Sequence, residues 1–264
     1  MTMIQRLFSF VVIIASAIQL SSLHTCFAAN DMQNLQDVSI APPKTLGAWK
    51  MTTVSAYPLQ YPTDTPEGAD PEHSEFHFPK SKATLYVYAI KNSTSLDFRK
   101  KFPAFPAAIV DLRRLLNQKP HSPREIPRIP WGEGASNICA HVAYGSFANA
   151  DINYIRACQF FQQDDSEITN EDLLYYAQGL SKDGRFYIAM VCPIHAPKLK
   201  DKPSSEHWTD KQWTQFSKTS TTYYANITRE LEATTDSAFT PSLRDLDNAL
   251  RSLTIKQTSN IHKE

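Results

Sequence analysis

The sequence predicts an α+β fold, an antiparallel meander sheet covered by C-terminal helices with one further helix near 106–118, and three observations carry it. Between 137 and 193, four segments of alternating apolar residues follow one another through short turns, which is the pattern of a meander. Beyond 208, two stretches repeat their apolar residues every three or four positions behind capping residues. An apolar sheet face must be covered, and striped helices are what can cover it.

Taken in order, residues 1–28 read as a secretory signal peptide. Arg6 precedes the apolar run LFSFVVIIASAIQL, and Cys26-Phe27-Ala28 offers small residues for cleavage after Ala28. The apolar core is about 14 residues long, short of the roughly 20 of a spanning helix. Two other fates are set beside cleavage: an uncleaved anchor, and lipidation at Cys26. Leu23-His24-Thr25 before that cysteine speaks against the lipid. No second apolar run of spanning length follows, so no transmembrane segment is expected in the mature chain.

Residues 29–45 read as an irregular leader ending in Pro42-Pro43, 46–256 as a single α+β domain, and 257–264 as a tail. A first strand falls near 49–57, followed by a proline-bearing loop over 58–71. Strands over 74–78 and 83–90 are joined by Pro79-Lys80-Ser81-Lys82. Ile109, Leu112, Leu115 and Leu116 give the helix of 106–118, with Pro106 in its first turn. Four prolines then stiffen the connector at 120, 123, 127 and 130.

The meander consists of two hairpins, ICAHVAYGSF with INYIRACQFF and LLYYAQGL with RFYIAMVCPI, the second turning at Asp183-Gly184. Thr209 and Gln212 have capping-box spacing, with Trp208 and Trp213 placed as a hydrophobic staple. Trp213, Phe216, Tyr223, Ile227 and Leu231 then form one stripe. The last helix is expected to start with Thr240 as cap and Pro241 in first position, ahead of Leu243, Leu246, Leu250 and Leu253.

The stretches PEHSEFHFP, LYVYAI, LRRLLNQKP, IPRIPW, LLYYAQGLSKDGRFYIAMVCPIHAP and FTPSLRDLDNALRSL resemble a family of bacterial extracytoplasmic proteins, secreted or lipid-anchored. The resemblance implies a fold and a compartment, and carries no activity. The meander followed by a helix and Ser252-Leu253-Thr254-Ile255 is also similar to PsbP-type sheet-and-helix domains.

Composition narrows the function. The 264 residues are 42% hydrophobic and 11% aromatic, a globular balance. Loss of 1–28 removes Arg6 and no acid, leaving 26 basic residues against 27 acidic ones and a formal charge of −1. That balance has no footprint for a nucleic-acid backbone, so no nucleic-acid partner is expected.

Cys139 and Cys158 lie at equal distances from the turn between Ala148 and Asn149, so a regular hairpin sets them opposite each other. In an oxidising compartment a cross-strand disulfide is expected there, the alternative being two buried thiols. Cys192 is left over, and the three cysteines lack metal-site spacing. His73, Glu75 and His77 share one face of a strand, as zinc ligands or as a solvated polar face; without a third ligand of clear spacing no metal is expected. His141, Arg156 and Tyr154 make a mixed polar face, a pocket wall or a hydrogen-bonded patch. Gly-x-Ser-x-Gly, His-Glu-x-x-His, Walker and dinucleotide glycine patterns are absent, so no cofactor is expected. The expectation is an extracytoplasmic non-catalytic domain that binds a protein or a small ligand. Its alternative is a secreted hydrolase with dispersed residues, using His141 or His195 as base.

Overall fold

The structure, a computed structural model, describes residues 38–41, 44–58, 69–90, 95–121, 126–127, 136–147, 152–162 and 165–257; at 38–40, 136–139, 162, 206 and 256–257 it describes the backbone only. The signal segment 1–28 and the tail 258–264 lie outside these residues.

Seven strands form the main sheet: β2 (Lys50–Val54), β3 (His73–Phe78), β4 (Ala83–Ala89), β5 (Ser136–Ser146), β6 (Ile152–Gln162), β7 (Leu174–Ser181) and β8 (Phe186–Pro193). Their order is β2-β3-β4-β8-β7-β6-β5, all antiparallel. The meander expected over 137–193 is therefore continuous with the strands expected near 74–90. The seam is β4 against β8, with Tyr88 opposite Tyr187.

Period-two alternation gives this sheet two apolar faces, and each has its own helical cover. Phe76, Leu85, Tyr175 and Met190 pack with Leu231 at the end of α3 (Asp210–Glu232) and with Leu243, Leu246 and Leu250 of α4 (Leu243–Arg251). On the opposite face, Tyr88, Tyr187 and Ile155 pack with Phe105, Ile109 and Leu112 of α2 (Ala104–Gln118). The result is three layers, with the sheet in the middle. Each fully buried leucine or phenylalanine stabilises this arrangement by roughly 1.5–3 kcal/mol.

The caps mostly follow the expected chemistry. Thr209 and Gln212 close a capping box at α3, and the rings of Trp208 and Trp213 meet at 5.0 Å. At α4 the cap is Ser242, which accepts the N–H of Asp245, and Thr240 is not the cap. The main chain of Thr240 instead exchanges two hydrogen bonds with His195, at 2.9 and 3.0 Å. A residue held in a bridge to another strand cannot also present the cap two residues early.

Two elements escape periodicity. α1 (Leu96–Lys101) is six residues long, buries none of them, and starts on the Ser95 hydroxyl. Within the stretch read as an irregular leader, β1 (Val38–Ala41) pairs antiparallel with β9 (Thr254–Gln257), joining the two ends of the domain. Four residues are too few to show alternation, and the partner lies nearly the whole chain away.

The β5–β6 pair carries a bulge: Ala140 opposes Cys158 and Ala143 opposes Arg156, so His141 and Val142 together face Ala157. Below it the register sets Cys139 opposite Gln159. The direct opposition of Cys139 and Cys158 that hairpin symmetry predicts is thus displaced by one residue. The side chain of Cys139, and with it the expected bridge, lies outside the described residues. No helix among the described residues is long and apolar enough to cross a membrane.

Candidate functional site

The main sheet has two edge strands among the described residues, β5, which packs against α3, and β2. The ladder of β2 with β3 runs from Lys50 opposite His77 to Val54 opposite His73, and the bridge between Tyr57 and Asp70 continues the same register. On its other side β2 meets no strand among the described residues. Lys50, Met51, Thr52 and Thr53 are all exposed. Of the large apolar side chains that stand exposed, Trp49, Met51 and Tyr57 belong to this edge; Leu96 and Val110 are separate points on α1 and α2. Trp49 meets Phe76 edge-on at 5.3 Å, so one side of its ring is anchored on the core.

Directly behind this edge lies the polar row of β3. Glu75 receives a histidine on each oxygen, His73 Nε2 at 3.2 Å from Oε1 and His77 Nε2 at 2.8 Å from Oε2. His73 is buried, stacked on Tyr88 at 4.4 Å, and its Nδ1 donates to the Pro71 carbonyl at 2.9 Å. The alternation expected for His73, Glu75 and His77 holds, but the solvated-face reading does not hold for His73. The stack on Tyr88 and the bond to Pro71 bury His73, whereas His77 on the same face stays 44% exposed. Asp70 adds a carboxyl 3.5 Å from His73 Nδ1; burial holds it above the usual aspartate range, against the pull of His73 and Tyr88. Among the described residues, no group of three or more acids, histidines or cysteines is arranged to hold a metal ion.

A second polar cluster joins sheet to helices. Arg156 on β6 reaches Asp236 Oδ2 at 3.1 Å and Asp247 Oδ2 at 3.4 Å, and donates to the main-chain carbonyl of His141. Tyr175 donates to Asp247 Oδ1 at 2.9 Å. Burial raises the Asp247 carboxyl despite Arg156 and Tyr175; burial would lower Arg156, but Asp247 and Asp236 more than offset it. His141 has φ +53° in the bulge, and its N–H donates to Glu232 at 2.8 Å. Its ring engages Leu231 O through Nε2 at 2.5 Å and Asp236 through Nδ1 at 3.2 Å. Both ring nitrogens are engaged, one by a main-chain carbonyl and one by a carboxylate. Of the expected grouping, His141 and Arg156 therefore form a hydrogen-bonded joint that ties α3 and α4 to the sheet, while Tyr154 is buried over Gly145 and stacks on Phe147 at 5.4 Å.

The third cluster lies after β8. His195 Nε2 is 2.6 Å from Asp201 Oδ1 and 3.0 Å from Asn170 Nδ2. Asn170 is buried and also bonds Leu199 O and the Ala196 N–H, so it shapes the turn that carries His195. In the sequence His141, Arg156 and His195 stand out, whereas Asp236, Asp247, Asn170 and Asp201 do not. Nothing in local pattern marks an acid whose partner is 80 or 91 residues away. The edge position of β2 is likewise invisible in the sequence, since which strand ends a sheet is decided by pairing alone.

No family model matches the chain, and no curated protein matches it. Among solved structures it is similar to the solution structure of cyanobacterial PsbP (CyanoP) from Synechocystis sp. PCC 6803, at 5% identity and a TM-score of 0.23, over 81% of this chain and 97% of that one.

Proposed function

We propose that the chain is exported by its N-terminal signal, is cleaved after Ala28, and acts outside the cytoplasm as one non-catalytic binding domain, made of 46–256 together with the β1 strand paired to its end. Its partner is a protein or a small ligand. The observation that supports binding is the row of Trp49, Met51 and Tyr57 along an open sheet edge. Native sheets usually blunt such an edge, and an exposed apolar one is a template for another chain. The charged clusters give the complementary support, because their groups are spent on each other and on the helices.

The test has two arms. The mature protein, recovered from cells expressing the full chain, should have an intact mass that starts at Ala29. A photo-crosslinking residue at Met51 should then capture a partner saturably, while the same residue at Val110 on α2 should not. Equal capture from both positions would overturn the reading.

A second reading, a hydrolase using His195 as base, is favoured by the Asp201 carboxylate at 2.6 Å from its ring. It requires turnover of an ester or peptide substrate that His195→Ala abolishes with the fold intact. His141 is a poor base, since both its nitrogens are engaged.

A further inference from the structure

We propose that β2 receives an extended acidic segment of a partner protein, which adds to the sheet as an eighth strand. This inference rests on the binding reading above and names the chemistry of its partner.

Three observations converge on that occupant. The outer main-chain groups of β2 face no strand among the described residues, and four successive residues there are exposed. An incoming strand would satisfy those groups by the ordinary ladder, which supplies affinity without a preformed pocket. Second, Trp49 and Met51 alternate onto one face and offer apolar contact to alternate side chains of the added strand.

Third, the charge is one-sided. Lys44, Lys50, Lys80 and Lys82 are exposed at the start of β2 and in the β3–β4 turn. The two segments touch: a Cβ placed on Gly47 would lie 4.0 Å from Lys80 Cβ. None of the four lysines is in an ion pair among the described residues. The nearest acid on β3, Glu75, is opposite Thr52 and already holds two histidines. Asp70 and Glu72 lie at the other end, beside Tyr57 and Val54. The edge is therefore basic at the Lys50 end and acidic at the Tyr57 end. An added strand places its acids at the first and none at the second, which sets its direction as well as its charge.

The experiment uses the mature chain and labelled peptides of about ten residues, enough to span the edge at about 3.3 Å per residue. One peptide alternates valine and threonine with glutamates at one end. A second carries lysines in their place, and a third is the acidic peptide N-methylated on alternate residues. Fluorescence anisotropy should show saturable binding of the acidic peptide, weakened by salt. The lysine and N-methylated peptides should bind about tenfold more weakly or worse. The Lys50→Glu/Lys80→Glu variant, with unchanged far-UV circular dichroism, should reverse the charge preference.

Equal binding of acidic and basic peptides, or indifference to N-methylation, would overturn this inference. So would a sedimenting dimer that Met51→Lys dissolves, or binding to anionic phosphatidylglycerol vesicles in place of the peptide. These failures are separable from failure of the binding reading: capture at position 51 of a partner without an acidic strand leaves that reading standing and removes only this one.

Discussion

Arg156 and Asp247, 91 residues apart, meet between β6 and α4, and both are at least nine-tenths buried or close to it, with side-chain exposures of 5% and 11%. The guanidinium also holds Asp236 and the carbonyl of His141, so one side chain ties the β5 bulge, the segment after α3 and the last helix together. A buried ion pair is costly to form, but removing one partner strands the other's charge.

Arg156→Ala is therefore expected to lower unfolding stability by about 3–5 kcal/mol. Tyr175→Phe, which removes one hydrogen bond to Asp247, should cost about 1–3 kcal/mol. Urea denaturation checks both, and the double variant should fall short of the sum, because the two side chains share Asp247.

His141 occupies the left-handed region, where β-branched side chains are strained. His141→Val should be less stable than His141→Asn by about 1–2 kcal/mol, since asparagine tolerates that backbone. The comparison by chemical denaturation isolates the backbone term, as both replacements lose the contact to Leu231.

Gly145 on β5 lies under the ring of Tyr154 on β6. An added Cβ would come within 2.5 Å of Cε1 and of the hydroxyl. Gly145→Ala should cost about 1–3 kcal/mol of stability, and Tyr154→Leu in the same chain should recover part of it. Thermal melting of the three variants decides whether the ring is the obstacle.

Glu167 gives a pH dependence of known sign. Burial would raise its carboxyl, but the Ser204 hydroxyl and Lys200 hold it below its ordinary 4.5. A lowered folded value means that the unfolded chain binds more protons as pH falls. This contribution is thus present above about pH 4.5 and is lost as pH falls through the folded value. Glu167→Gln should reduce the melting temperature at pH 7, and the difference from the parent should shrink progressively as pH falls below about 4.5.

Burial pushes the Cys192 thiol up to about 12, so almost none of it is thiolate at neutral pH. Iodoacetamide at pH 8 should leave Cys192 unmodified in the folded protein and alkylate it fully in denaturant. Mass spectrometry of the tryptic peptide reads the difference.

The strands were legible where alternation ran long. LLYYAQGL and RFYIAMVCPI put apolar residues on both faces, and the Asp-Gly turn between them set the pairing. The capping box at Thr209 was equally local and equally visible. The start of α4 was not, because Thr240 looks like a cap until its main chain is committed to His195. Likewise β1 carries four residues, and only its pairing with β9 makes it a strand. At the clusters, His73, Glu75 and His77 were readable as one face, but the burial of His73 depended on its stack against Tyr88 and its bond to the Pro71 carbonyl, contacts that only the folded chain brings together.

By itself the sequence determined the α+β class, the four-stranded meander, the helix starts that have their caps beside them, and a net charge close to zero. These are properties of neighbours within a few positions, where backbone preference and apolar spacing act directly. The tertiary structure decided which strand would be left at the edge, which face α2 would cover, and which acids would meet Arg156. Those depend on the pairing of distant segments, and the free energy that selects a pairing is shared across the whole core instead of being written at any one position.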